Sequence, residues 1–306
     1  MRQTQIIGVG NQKGGVCKTT NAIHMAAALG ERGRKCLVID LDPNLGLTYS
    51  FDVPTTTAGT FHMLIGEEEP ADVIISADRE QERASRPGEM VQLPKNVDII
   101  PANRRIENFD EEYASLDGRN KFTAPFDTLT GPLGSLEGQY DYIFLDTAPN
   151  SGTLTIAAYK SAAWFILSST AEKLSVEALR RSLKDILAAG QVNPDLALLG
   201  VVMTQVDTRR KLERAYIQKV GADLAAAGRF GLFETVIPAR AVMGKASALS
   251  MSVFDYEPEP REIKTVDEVR DLYRSLAREI EDRVNADDAG TADLSGSDAT
   301  QAEEVA

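Results

Sequence analysis

Cysteine is nearly absent from this 306-residue chain, which carries only Cys17 and Cys36. Two thiols make neither a disulfide framework nor a zinc-ligand spacing, so a reduced, cytoplasmic protein is expected. Long hydrophobic runs are missing as well. No stretch reaches the 18 or so apolar residues that a membrane-spanning helix needs, and the opening MRQTQIIGVG is too short and too strand-like for a secretory leader. Histidine is limited to His24 and His62, neither close to a nucleophile, and both are expected to be structural. Positive charge is also scarce: 33 Lys and Arg face 46 Asp and Glu, a net charge of −13. That balance counts against non-specific nucleic-acid binding unless the basic residues cluster. Six of the acids lie in NADDAGTADLSGSDATQAEEVA, which has no basic residue, leaving −7 for residues 1–284. This segment buries too little apolar surface to offset the cost of ordering, so residues 285–306 are expected to be a disordered acidic tail.

What the chain does have is alternation. Short apolar runs stand at 5–10, 35–42, 96–103, 140–150, 162–169 (opened by Trp164) and 196–206. Helical patterns fall between or after them at 19–33, 152–161, 175–189, 210–227 and 265–284. Near-continuous apolar strands alternating with helices predict an α/β fold, a mostly parallel central sheet with helices on both faces. Residues 1–284 contain no repeat and no linker, so one domain is expected. The polar stretch 66–95 reads as an excursion with a helical piece.

In an open parallel sheet, ligands bind beyond the carboxyl ends of the strands, and the informative residues fall there. The first strand runs into NQKGGVCKTT, residues 11–20, and then into a helix. Gly14 and Gly15 let backbone N–H groups wrap phosphates. Lys18 is placed to reach the β- and γ-phosphates, and the Thr19 hydroxyl to ligate Mg²⁺. The helix N-terminus adds its positive end. Asp146 ends another strand, where a carboxylate holds Mg²⁺ through water. Asp40 and Asp42 end a third. They are expected to point to opposite faces, one toward the metal and the other toward the attacking water. Two features depart from the general loop. Lys13 precedes the glycines and is too far along to duplicate Lys18. Cys17 stands where glycine is usual, because that backbone tends to be left-handed or crowded; a small Cys fits with modest strain. At a helix N-terminus beside Lys18 its thiol is expected to have a lowered pKa, and two roles stay open: a small filler of the loop, which is favoured, or a thiol whose oxidation blocks the nucleotide.

KGGVCKTT resembles the deviant Walker A motif of the ParA/MinD P-loop ATPases, VIDLDPN their Walker A′ segment, and YDYIFLDTAP their Walker B. NVDIIPANRRIENFDEEY, VVMTQVDTRRK and ETVIPARAVMGKASALSMSVFDYEP follow in the order and spacing of ParA proteins. The resemblance spans roughly residues 5–280 and is closer to ParA than to MinD. It implies Mg²⁺-dependent ATP hydrolysis by a homodimer that ATP closes face to face, with Lys13 reaching the partner's nucleotide. Lys13, Gly14, Gly15, Val16, Cys17, Lys18, Thr19 and Thr20 would form the phosphate site, Thr20 at the α-phosphate. Pro238 would line the adenine pocket, Asp42 would orient water, and Asp40 would support Mg²⁺ or the switch. The resemblance further implies non-specific DNA binding by the ATP dimer, hence nucleoid association, and a ParB-like or cargo-adaptor partner. Candidate phosphate contacts are Arg209, Arg210, Lys211, Arg214, Lys219, Arg229, Arg240 and Lys245, although Glu213 interrupts them and Ala239 precedes Arg240 where several relatives place Arg after Ile-Pro. MinD-like membrane binding is not expected: the helix at 265–284 has mixed charge and the tail is acidic. Three rival readings remain: an iron–sulfur reductase, a synthetase or ligase of dethiobiotin type, and a regulator that does not hydrolyse ATP. They are disfavoured in turn by Cys36 lying inside a strand, by Lys13, and by intact Asp42 and Asp146.

Overall fold

The apolar runs become the strands of one parallel sheet. The computed structural model describes residues 3–76, 81–115, 125–227 and 231–290. In chain order the elements are β1 (Gln5–Gly10), α1 (Lys18–Glu31), β2 (Cys36–Asp40), α2 (Gly46–Ser50), α3 (Thr60–Leu64), α4 (Pro70–Val73), β3 (Val97–Ile100), α5 (Phe109–Ser115), α6 (Thr130–Ser135), β4 (Tyr142–Asp146), α7 (Thr153–Ser161), β5 (Trp164–Thr170), α8 (Lys173–Ala189), β6 (Ala197–Val206), α9 (Lys211–Ala227), β7 (Leu232–Pro238), α10 (Ala241–Ala248) and α11 (Ile263–Gly290). The sheet order is β3-β2-β4-β1-β5-β6-β7, and every neighbouring pair is parallel.

Strand alternation sends successive side chains to opposite faces, so the sheet has two cores. On one face Ile143 and Leu145 of β4 pack with residues of α3, α5, α7 and α8. On the other Tyr142 and Phe144 pack with α1, α10 and α11. β2, β4 and β5 are buried along their whole length, which is why each opens on an apolar run (CLVI, YIFL and WFIL) before its polar carboxyl end. Gly8 of β1 makes room for a neighbour: a Cβ there would lie 2.0 Å from Phe165.

Two expectations are corrected. β7 was not among the expected strands, because Glu234 and Thr235 interrupt its apolar run. It is the sheet edge, and only alternate residues are buried. The Glu279 carboxylate of α11 accepts from the Glu234 and Thr235 amides (2.7 and 2.9 Å) and from the Thr235 hydroxyl, so the polar residues of this edge are satisfied from outside the sheet. Second, α11 does not stop at 284: it runs to Gly290. Extending an anchored helix adds one hydrogen bond per residue fixed, so residues 285–290, read as tail, are helical. Residues 291–306 lie outside the described residues. The other expected boundaries hold to within a few residues.

Candidate functional site

The β1–α1 loop, the ends of β2 and β4, and the segments after β6 and β7 meet at the carboxyl edge of the sheet. Gly15 has φ 74° and Cys17 has φ 61°, ψ 31°, so the loop enters α1 through left-handed backbone. A left-handed non-glycine residue costs about 1–2 kcal/mol, the strain anticipated for Cys17. Open space faces the loop: a Cβ added at Gly14 or Gly15 would meet nothing within 4 Å. Val16 is buried, and its carbonyl accepts from the Thr204 hydroxyl at 3.3 Å.

Lys18 is buried in the first turn of α1. Burial lowers its pKa, and the carboxylates of Asp146 and Asp42 oppose that shift. Asp146 is fully buried, and neither of its oxygens has a hydrogen-bond partner. Burial and then the Asp40 carboxylate raise its pKa well above the ordinary carboxylate range. The Thr19 hydroxyl, near but outside hydrogen-bond geometry, and Lys18 oppose this. Two orphaned, buried carboxylate oxygens beside a threonine hydroxyl suit a hard divalent cation that keeps several waters. Among the described residues no three His, Cys, Asp or Glu come together as a metal-holding group.

Asp40 and Asp42 divide their work differently from the expectation. Residues two apart in a strand share a face, but β2 ends at Asp40 and the chain turns. Asp40 is turned into the protein: Oδ2 accepts from the Thr48 amide and hydroxyl (3.0 and 2.8 Å), and Oδ1 from the Asp42 amide at 3.2 Å. Burial pushes its pKa up to about 7, with Thr48 opposing. Asp40 thus anchors α2 and the turn, and of the two strand-end acids Asp146 is the one with free oxygens for a metal. Asp42 is 7% exposed, and its Oδ1 accepts from the Asn44 amide and side chain at 2.9 and 2.8 Å. That leaves its other oxygen free to hold a water.

Lys13 is not a loose surface lysine. Its Nζ donates to Glu172 and to Ser175, both at 2.8 Å, at the start of α8. Neighbouring Gln12 is tied to the same helix through Ser182, Asp185 and Arg181. The Cys17 thiol corrects the chemical expectation: burial raises its pKa, outweighing Lys18 and the hydrogen bond from Gln205 Nε2 at 3.0 Å. It is a small half-buried side chain and not an activated thiolate.

Beside the loop lies a cavity of about 330 Å³. Cys17, Thr20, Phe51, Gln205, Pro238, Met243 and Tyr273 are among its walls. Gln205 falls inside the quoted VVMTQVD segment. Met243 falls inside the quoted ETVIPARAVMGKASALSMSVFDYEP segment; Phe51 and Tyr273 have no sequence signal, being single residues from two distant elements.

The basic candidates share this edge, since β6 leads into α9 and β7 into α10. Most are paired. Arg209 and Arg210 hold Asp207 at 2.8 and 3.7 Å, and Arg210 also holds Glu213 at 3.3 Å. Arg240 pairs with Glu268 at 3.8 Å and Lys245 with Glu262. Lys211, Arg214 and Lys219 of α9 form no ion pair among the described residues; Arg229 lies outside them.

A family described as an AAA domain matches residues 4–198. The sporulation initiation inhibitor protein Soj of Bacillus subtilis is 26% identical over 279 residues, covering 90% of this chain and 98% of Soj. The chromosome partitioning protein ParA of Myxococcus xanthus is 25% identical over 90% of this chain and 87% of its own length. In fold, the chain resembles the cobyrinic acid a,c-diamide synthase of Mycobacterium smegmatis, solved with an ATP analogue and magnesium. The TM-score is 0.69, with 24% identity over 90% of this chain and 93% of the synthase.

Proposed function

The chain belongs to the AAA-domain family of P-loop ATPases of ParA/MinD type, and from that premise we propose a Mg²⁺-dependent ATPase whose ATP-bound form closes into a homodimer. The observation that carries this reading is the placement of the orphaned Asp146 carboxylate and buried Lys18 at a left-handed loop open to a 330 Å³ cavity. Loop amides 14–19 and Lys18 hold the phosphates, and Thr20 reaches the α-phosphate. Pro238 and the cavity take the adenine. Thr19 and Asp146 hold Mg²⁺, with Asp40 supporting from behind. When bound, the ion offsets charge on the β- and γ-phosphates. Asp42, fixed by Asn44, orients the attacking water. Lys13 supplies a cation to the partner's nucleotide, in the manner of an arginine finger. To do so it leaves Glu172, which is 68% exposed; an exposed pair is worth only about 0.2–1 kcal/mol, so release costs little.

The ATP dimer binds DNA non-specifically through Lys211, Arg214 and Lys219, joined by Arg209, Arg210, Arg240 and Lys245 as phosphates displace their exposed carboxylate partners. It positions a chromosome, plasmid or protein cargo on the nucleoid, with a ParB-like or cargo-adaptor protein stimulating hydrolysis. No described helix is long and apolar enough to cross a membrane, and α11 packs on α1 and β7, which supports a cycle without membrane attachment. The likeness to a synthase supports a second reading, ATP-dependent ligation on the same scaffold.

Light scattering separates the two. ATP is expected to double the mass of the wild type. Asp42→Ala should hold that dimer and lower phosphate release by roughly 10²-fold or more, and only the dimer should retain DNA. A protein that binds ATP yet stays monomeric, and releases phosphate only with a small-molecule acceptor, would overturn the positioning reading in favour of the synthetase.

A further inference from the structure

Part of the polar excursion folds into a strap. Glu82 bridges Met90 in antiparallel fashion, the Arg83 amide donates to the Glu89 carbonyl at 2.9 Å, and the Val91 amide donates to the Gln81 carbonyl at 2.8 Å. The strap grips two separate places. At one, the Ala84 amide donates to the Asp52 carbonyl at 2.7 Å, and the Ser85 amide and hydroxyl donate to the Asp52 carboxylate. At the other, Arg83 Nη1 and Arg86 Nη2 both donate to the Leu249 carbonyl at 3.0 Å, and Arg83 Nε returns to the Met90 carbonyl at 3.1 Å.

Both grips adjoin the cavity. Asp52 follows Phe51, and Leu249 lies between Ser247 and Met251; Phe51, Ser247 and Met251 all line it. Arg83 is only 3% exposed and has no carboxylate partner among the described residues. Burying a guanidinium is costly unless its donors are used. Here they are spent on backbone carbonyls, one at the carboxyl end of α10, where a cation also meets the negative end of the helix. The rigid guanidinium fork ties the Leu249 carbonyl on the α10 side to the Met90 carbonyl within the strap, and Ala84 and Ser85 tie the strap in turn to Asp52 beside Phe51, so Arg83 joins the two walls through the strap.

We propose that Arg83 is a positioning residue for the nucleoside: through the strap it fixes the spacing between the Phe51 wall and the α10 wall. It thereby sets nucleotide affinity and the preference for a purine base. This rests on the assignment of ATP to the cavity.

The test is titration calorimetry with ADP and with CDP on the full chain. The wild type should bind ADP more tightly than CDP. Arg83→Ala should weaken ADP roughly tenfold, the scale of one lost charge-assisted hydrogen bond. CDP should change less, so the preference narrows, while phosphate release at saturating ATP stays within about twofold because no phosphate contact is altered. Arg83→Lys should restore only part of the affinity, since an ammonium cannot span both carbonyls. Arg86→Gln removes an exposed contact to Leu249 and should show the same narrowing, smaller, in a protein that folds normally. Unchanged ADP and CDP affinities in Arg83→Ala and Arg86→Gln would overturn the proposal and leave the ATP assignment standing. A wild type that binds no nucleotide would overturn both.

Discussion

His24 is fully buried in α1, with Nδ1 2.7 Å from the Thr20 carbonyl and Nε2 3.0 Å from the Val253 amide. Nδ1 therefore donates and Nε2 accepts, which requires the neutral ring. Burial depresses its pKa from 6.5 to about 4. The unfolded chain then takes up the proton first, so stability is complete above pH 6.5 and falls as pH drops toward 4. Urea unfolding at pH 7 and pH 5 should differ by about 2 kcal/mol from this residue alone. His24→Gln, which keeps an acceptor for Val253 but no titrating group, should remove that part of the slope. Asp146 is the opposite case: it is fully buried, and its oxygens have no hydrogen-bond partner among the described residues. At this scale the glycine loop between β1 and α1 was legible, because Gly14, Gly15, Lys18 and Thr19 lie close together in the chain. The state of Cys17 was not. A thiol beside a lysine suggested activation, but burial dominates and outweighs Lys18 and the hydrogen bonds of Gln205 and Thr204.

At the scale of elements, β7 and α11 depend on each other. Glu279 satisfies three donors of the edge strand. Glu279→Ala leaves two amides and a hydroxyl without that acceptor, and should lower the unfolding free energy by about 2 kcal/mol in urea titration; Glu279→Gln should recover part of it. The strand was invisible to periodicity because half of it faces outward and its polar residues answer to a helix some 45 residues later. α8 shows the same limit from the other side. Its apolar stripe was legible, but its duty of holding Lys13 by Glu172 and Ser175 was not, since the ion pair joins residues 159 apart. Its place before the glycines marked Lys13 only as unable to duplicate Lys18; the partner it was expected to reach, the nucleotide of a second copy, was implied by the resemblance to ParA proteins. Which partner it has in the monomer is decided by packing.

For the whole molecule, charge is the issue. A net charge of −13 would repel DNA if it were evenly spread, yet α9 starts beyond β6 and carries Lys211, Arg214 and Lys219, which have no carboxylate partner among the described residues. Binding of the ATP form to duplex DNA should weaken linearly in log salt. Lys211→Ala combined with Arg214→Ala should reduce that slope by about 2, the loss of two phosphate contacts. An unchanged slope would move the interface elsewhere. The sequence by itself determined the fold class, the order of most strands and helices, and the glycine-rich loop and acids that end β1, β2 and β4, because each is encoded within a few neighbouring residues by period, glycine and charge. Only the tertiary structure decided that Asp40 faces Thr48 while Asp146 keeps free oxygens, that Lys13 rests on α8, and that Phe51, Met243 and Tyr273 share a cavity. Burial, hydrogen-bond partners and dielectric environment are properties of segments brought together by folding, and no local pattern carries them.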